Sequence, residues 1–198
     1  NSFQKTKQRG LSLIEAAMVL ALSAVVVSGV MYYMSTANEN LQNRRVTEMF
    51  ISITNILMHF TATNLNPLTL SLSENPVISS NKIFPSGQVK SITNRAGKTS
   101  TGITLNGIPG VFSLYSAKCS DKISGPSTCI AVQYWIPKSY SENDAYNQCV
   151  AVISKNFGDS ILAKQANGKG EAVPGSNTDI QRISTICQKA AGITLFIR

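Results

Sequence analysis

The feature that most restricts the fold of this chain is an apolar run at residues 11–34, in which Glu15 is the only charged side chain. A helix of this length extends roughly 36 Å at ~1.5 Å per residue, enough to cross a hydrocarbon core of ~30 Å. Lys5, Lys7 and Arg9 precede the run. They predict a cytoplasmic N-terminal end and a translocated remainder. A cleaved secretory signal is disfavoured because its apolar region has only about 7–15 residues.

Glu15 is the residue that a simple membrane anchor does not explain. Burying a carboxylate in a bilayer costs roughly 2.5–3.5 kcal/mol even on the lenient insertion scale, so a partner is expected. No cation lies within residues 11–34. A free α-amine, created by cleavage just before Leu11, would supply a positive charge from a neighbouring subunit. The alternative is a carboxylate that reaches the membrane interface in a monomeric anchor.

The segment "RGLSLIEAAMVLALSAVVVSGVMYY" resembles a type IV prepilin signal. That family's pattern is a basic leader ending in Gly, then a hydrophobic residue, then Glu at the fifth mature position; Gly10, Leu11 and Glu15 match it. Within the family the segment is most similar to the type IVb pilins. This similarity rests on the Leu at the mature N-terminus and on the residues "LSLIE-AMVLAL". The strong likeness covers residues 10–33.

The resemblance implies a processing and assembly pathway. Residues 1–10 would be a leader peptide that a prepilin peptidase removes between Gly10 and Leu11, and the same enzyme would N-methylate Leu11. Glu15 would neutralise the amine of an adjacent subunit, and Gly29 would serve assembly through close packing or a local bend of the helix. Since the sequence starts at Asn1 and not at a methionine, we expect the encoded chain to begin further upstream.

The partners implied by this resemblance are other copies of the chain in a helical homopolymer, the prepilin peptidase, the inner-membrane pilus assembly machinery, and the membrane before assembly. The precursor would lie in the bacterial inner membrane with a cytoplasmic N-terminus, and the product would be an extracellular pilus. No cofactor is expected. A type II secretion pseudopilin, a tip adhesin and the pilin of a conjugative or DNA-uptake pilus are the alternative functions.

Residues 11–63 are expected to form one long helix with two different halves. Residues 11–35 would be the membrane and filament-core half, and residues 36–63 the amphipathic half. The amphipathic half has apolar side chains at helical spacing: Val46, Met49, Phe50, Ile53, Leu57 and Phe60. His59 lies beside this stripe and is expected to be a surface residue. Asn64, Asn66 and Pro67 favour the end of the helix.

Residues 64–198 are expected to form the globular head of an α+β fold, in which the long helix packs on an antiparallel sheet. A loop with short extended pieces is expected at residues 64–100, followed by the sheet and a disulfide-bounded C-terminal region at 101–198. Strands are predicted in "GITL", "GVFSLYSAKC" and "TCIAVQYWIP", with Tyr134 and Trp135 as packing residues. Short helices are predicted in "SENDAYNQCVAVISKNFG" and "SNTDIQRISTICQKAAG". The final "ITLFIR" reads as a buried strand, which the resemblance places inside the sheet.

The four cysteines allow three pairings, and neighbours in sequence suggest Cys119–Cys129 and Cys149–Cys187. Two disulfides are favoured over a metal site because no C-x-x-C is present and His59 is the only histidine. The resemblance also implies that Cys149–Cys187 bounds the C-terminal region, with Cys119–Cys129 as an addition.

Charge and motifs argue against nucleic-acid binding and catalysis. The formal net charge is +8, but without residues 1–10 the chain has 15 cations against 10 acids, and Arg44–Arg45 is the only cationic pair beyond the leader that we single out. A solvated surface explains such a modest excess better than a nucleic-acid groove. We find no phosphate-binding loop, metal motif or catalytic triad in the sequence. The sequence therefore predicts a structural protein and not an enzyme.

Overall fold

The computed structural model describes residues 12–61, 88–104, 107–119, 128–166 and 171–197. The helices are α1 (Leu13–Thr61), α2 (Glu142–Ile153) and α3 (Ile180–Cys187). The strands are β1 (Gln88–Thr93), β2 (Thr99–Thr104), β3 (Val111–Lys118), β4 (Thr128–Trp135), β5 (Ile161–Ala166), β6 (Val173–Pro174) and β7 (Gly192–Ile197). The chain divides into two compact units, of which the first ends at Asn40 and the second begins at Leu41.

The described part of the first unit is the N-terminal half of α1, which is helical without interruption through Gly29. Two serine side chains in this half are satisfied by the helix itself. Ser23 donates to the Val19 carbonyl at 2.7 Å, and Ser28 donates to the Ala24 carbonyl at 2.7 Å. Bonding of this kind lets serine lie in an apolar helix without an unsatisfied donor.

The second unit is built on an antiparallel sheet with the strand order β1-β2-β3-β4-β7-β5-β6 in the described residues. The last strand, β7, lies between β4 and β5, with Phe196 opposite Ala131 on one side and Ala163 on the other. All six of its residues are buried. A strand that is covered on both faces needs no alternation of apolar and polar side chains, which is why "ITLFI" alternates poorly.

The main core lies between this sheet and the C-terminal half of α1. Val46, Phe50, Ile53 and Leu57 are at most 1% exposed and pack against the sheet. The Phe50 ring meets the Phe112 ring edge-on at a centroid distance of 5.1 Å. The α+β class and the packing of the long helix on an antiparallel sheet are confirmed.

The C-terminal region consists of α2, β5, β6, α3 and β7. Ser141 caps α2 through a capping box with Asp144, and Asp179 caps α3 by accepting from the Gln181 amide. The structure pairs Cys149 with Cys187, which joins α2 to α3, and Cys119 with Cys129 at the ends of β3 and β4.

Strand β1 and the start of β2 fall within residues 64–100, the segment assigned to a loop with extended pieces; residues 62–87 lie outside the described residues. Strand β1 is exposed along almost its whole length and, among the described strands, pairs only with β2. This strand is therefore defined by backbone pairing at the edge of the sheet. Because an exposed edge strand buries few side chains, its sequence shows little apolar alternation.

Candidate assembly site on the N-terminal helix

The N-terminal half of α1 exposes nearly all of its apolar side chains. Leu13 is 89% exposed, and residues of the same kind continue along the helix: Ile14, Met18, Val19, Leu20, Leu22, Val25, Val26, Val27, Val30, Met31 and Met34. In the described part of the chain, α1 alone has the length and composition of a membrane-spanning helix. A contiguous apolar surface of this extent marks a membrane or protein contact surface in proteins generally.

Ser12 and Glu15 form a reciprocal capping box at the start of this helix. The Ser12 amide donates to Oε2 of Glu15 at 2.9 Å, and the Glu15 amide donates to Oγ of Ser12 at 3.2 Å. Two helix-end donors are thereby satisfied within the chain. Our sequence reasoning looked only for a cationic partner of Glu15 and missed Ser12. The S-x-x-E spacing of a capping box was nevertheless readable in "SLIE".

Three other site residues were predicted from the sequence. The cleavage residues Gly10 and Leu11, of which Leu11 is also the predicted methylation site, lie outside the described residues. At Gly29 a methyl group added to the Cα would meet nothing within 4 Å. The glycine therefore has no packing explanation inside the described chain, and Gly in a helix costs about 1 kcal/mol relative to Ala.

The head has one unusual buried charge. Lys164 is fully buried on β5, and its Nζ donates to the carbonyl oxygens of Lys155 at 2.8 Å and Asn177 at 2.6 Å. Burial lowers the pKa of Lys164 to about 8, because desolvation disfavours its charged form. The ammonium bridges the segment after α2 and the segment before α3. Our sequence reasoning assigned this lysine no role.

Burial also acts on two tyrosines of the sheet. It raises the pKa of Tyr134, a fully buried core residue whose hydroxyl accepts from the Gly110 amide at 3.1 Å. It raises the pKa of Tyr115 as well. A buried phenol that stays protonated is a packing residue with a satisfied hydroxyl, as expected for Tyr134. Among the described residues, no group of three or more His, Cys, Asp or Glu side chains is arranged to hold a metal ion.

Comparison with known proteins finds similarity to pilus subunits. Over 53 residues the chain is 42% identical to the major structural subunit of bundle-forming pilus, bundlin, of Escherichia coli O127:H6 (strain E2348/69 / EPEC). The identity is the same with the corresponding subunit of Escherichia coli O111:H-. The aligned stretch covers 27% of this chain and 28% of each relative. No family model and no solved structure matches. The similarity confirms the resemblance predicted from the sequence: over this stretch the chain is like bundlin, a pilus subunit.

Proposed function

We propose that this protein is the structural subunit, the major pilin, of a type IVb pilus, and that it polymerises through the N-terminal half of α1. The proposal rests on the apolar and exposed surface of that half-helix, taken together with the similarity to a major pilus subunit. The head would form the outside of an extracellular filament that serves adhesion, bundling or aggregation.

The free energy of exposing apolar side chains to water explains why such a helix would need either a membrane or other copies of the chain around it. Each large aliphatic side chain contributes about 1.5–3 kcal/mol when it is fully removed from water, so a dozen of them make a free helix in water untenable. The precursor would therefore stay in the inner membrane until it joins a filament. Lipid is as apolar as leucine, so the move from bilayer to filament is driven by close packing and polar pairing. Ala16, Ala17, Ala21, Ala24 and Gly29 are small enough to permit that packing.

Cleavage between Gly10 and Leu11 and methylation of Leu11 are the processing steps of this proposal. The intact mass and N-terminal fragmentation of the protein purified from the host envelope test them. A chain that begins at N-methylated Leu11 is expected. In a Gly10→Ala variant we expect full-length, membrane-bound precursor without filaments. Normal filaments from that variant would contradict the cleavage assignment.

Glu15 has two roles in this proposal, and two substitutions separate them. The carboxylate caps its own helix through Ser12, and its charge would neutralise the amine of Leu11 in an adjacent subunit. Glu15→Gln keeps an acceptor for the Ser12 amide but removes the charge. Ser12→Ala removes the hydroxyl acceptor but keeps the charge.

If the charge is what assembly requires, Glu15→Gln and Glu15→Ala are both processed but yield few filaments, whereas Ser12→Ala yields nearly wild-type numbers. Filaments are counted by electron microscopy, and processing is checked by mass. Glu48→Gln is the matched control, since Glu48 is an exposed carboxylate on the same helix that pairs with Arg44 at 2.8 Å. If Glu15→Gln yields wild-type numbers of filaments, the charge of Glu15 is not required for assembly and only its capping role is left.

A secretion pseudopilin or a conjugative pilin would share the N-terminal segment, so the product of assembly distinguishes them. Long surface filaments composed mainly of this chain would agree with a major pilin. A short periplasmic structure that is required for protein secretion would assign the chain to the pseudopilins. Loss of conjugation, with no loss of adhesion or bundling, would assign it to a conjugative pilus.

A further inference from the structure

A cleft of about 660 Å³ opens in the head, on the opposite side of the sheet from the α1 core. Its floor is formed by Tyr115, Gln133 and Trp135 of β3 and β4, and its walls by the turn at residues 94–98, Glu142 and the segment 189–191. The volume lies within the range of about 300–1,000 Å³ that small-molecule sites occupy.

The turn that forms one wall is fixed before any ligand arrives. Asn94 is 1% exposed; its side chain donates to Oγ of Ser100 at 2.9 Å and accepts from the Lys98 amide at 3.0 Å. The Arg95 amide donates to the Ile136 carbonyl at 3.1 Å, which holds the turn against the end of β4. A preorganised wall lowers the entropy that a ligand must remove on binding.

Trp135 supplies a flat apolar surface in this cleft. It stands opposite Gly192 in the β4–β7 register, and a methyl group on Gly192 would lie only 3.0 Å from Cε3 of the indole. The indole therefore lies against the bare backbone of Gly192, and the ring remains partly exposed. Trp135 was expected to be a packing residue like Tyr134; its indole packs on Gly192, on the opposite face of the sheet from the Tyr134 side chain.

The cleft has an excess of positive charge, from Arg95, Lys98 and Lys189 against the single carboxylate of Glu142. Arg95 donates to the Tyr140 carbonyl and lies 4.0 Å from Glu142, so it helps to hold the wall together. Lys98 and Lys189 are exposed at the rim. Two lysines at the rim of a cleft with a net positive charge favour a ligand with a carboxylate or another anionic group.

The backbone at Lys189 gives a second and independent indication. Lys189 has a φ of 54°, the only positive φ at a non-glycine residue in the described part of the chain. It follows the end of α3, at a position where glycine is strongly preferred because a side chain is disfavoured in the left-handed region. Residues held in such conformations cluster at ligand sites. The presence of lysine at a position that favours glycine indicates that the Lys189 side chain has a role, and this side chain lines the cleft.

We propose that this cleft binds an acidic sugar, a pyranose that carries a carboxylate. The apolar face of the ring would lie on Trp135, and the carboxylate would pair with Lys98 and Lys189. The ring hydroxyls would bond with Gln133, Tyr115 and Glu142. Glu142 is placed to accept hydrogen bonds from sugar hydroxyls, and a single-stranded oligonucleotide is the alternative ligand that the test below includes. The proposal does not depend on filament assembly.

Trp135 is the single tryptophan of the chain, so its fluorescence reports directly on this cleft. The full chain, purified in a polyoxyethylene detergent without sugar groups, is titrated with N-acetylneuraminic acid, with glucuronic acid and with glucose at constant ionic strength. A saturable change is expected with at least one of the acids and none with glucose. Lys189→Gly should weaken binding about tenfold, as should Lys98→Gln.

Lys189→Gly is the decisive variant because glycine suits the left-handed backbone, so the variant keeps its fold. Lys90→Ala, which removes an exposed lysine on β1 away from the cleft, is the matched control and should bind like wild type. The proposal is overturned if neither acid gives a saturable change, if glucose gives the same change, or if Lys189→Gly binds as tightly as wild type. A single-stranded oligonucleotide that binds in a Lys189-dependent manner, with neither acid bound, would also overturn it.

Discussion

Replacing Lys164 with methionine tests how the C-terminal region accommodates a buried ammonium group. Nζ donates to two backbone carbonyls and lies 6.0 Å from the centroid of the Phe157 ring. In the part of the chain that the structure describes, Lys164 forms no ion pair with a carboxylate. Burial lowers its pKa from 10.5 to about 8. Methionine has a similar length and no charge, so the variant removes the titration and keeps most of the volume.

The expected effect depends on pH, and its sign follows from the two pKa values. Between pH 8 and 10.5 the unfolded chain holds the lysine proton and the native chain does not. Because the unfolded state then binds more protons, the free energy of unfolding of the wild type rises with pH in this window. The total rise is about 3 kcal/mol, since one pKa unit corresponds to ~1.4 kcal/mol. It is complete above pH 10.5 and is lost as the pH falls through 8.

The measurement is urea unfolding of the full chain in detergent with both disulfides intact, followed by Trp135 fluorescence at several pH values. The difference in free energy of unfolding between the wild type and Lys164→Met isolates Lys164, because other groups titrate in both proteins. Tyr115 and Tyr134, whose raised pKa values make stability fall at high pH, cancel in this way. Lys90→Met, at an exposed site on β1, is the matched control for the loss of a lysine side chain.

A constant difference for Lys164→Met between pH 8 and 10.5 would contradict the lowered pKa of Lys164, because it would mean that this pKa is the same in the native and unfolded chains. A difference that falls with pH would also refute it, since it would require that burial favours the charged form.

Three further predictions concern packing and crosslinks. Gly29→Ala should stabilise α1 by up to about 1 kcal/mol. It should nevertheless reduce the number of filaments in electron micrographs, because the proposed packing of neighbouring helices uses the missing side chain. An unchanged number would show that Gly29 is not needed for assembly. Phe50→Ala should cost about 3–5 kcal/mol in urea unfolding, because the ring is fully buried against Phe112 and Tyr134, and a cost below 1 kcal/mol would contradict this packing. Double alanine substitution of Cys149 and Cys187 should lower the free energy of unfolding by about 4 kcal/mol, and that of Cys119 and Cys129 by about 3 kcal/mol. The first bond closes the longer loop, since its cysteines are 38 residues apart and those of the second are 10 apart. The reverse order in unfolding experiments would argue against loop-closure entropy as the cause.

Elements with a strong local pattern were predictable from the sequence. The apolar run and the stripe of Val46, Phe50 and Ile53 predicted both halves of α1, and the capping residue Ser141 marked the start of α2. In each case neighbouring residues fix the structure, through helix periodicity or a hydrogen bond to the next turn. The strands β3 and β4 were predictable for the same reason, since their β-branched and aromatic residues are concentrated in short runs.

Features that depend on contacts between distant segments were not predictable. Strand β1 is mostly polar and is defined by its pairing with β2, while β5 has in its interior a lysine whose ammonium donates to the carbonyls of Lys155 and Asn177. The cleft joins residues from five segments of the chain, so no local sequence motif predicts it. In the N-terminal half of α1, the apolar run and Glu15 were evident from the sequence. The spacing in "SLIE" also indicated the Ser12–Glu15 capping box, which our prediction did not include.

The position of β7 has a consequence for biosynthesis. Strands β4 and β5 do not pair with each other; each pairs with β7, which follows both of them in the chain. Until β7 emerges, the nascent head therefore consists of two incomplete sheets with open edges, a state prone to aggregation and proteolysis. The Cys149–Cys187 bond fastens the chain five residues before β7 begins at Gly192. Oxidation of this pair would hold the last strand near the space between β4 and β5, and would thereby shorten the time that the two strand edges stay open.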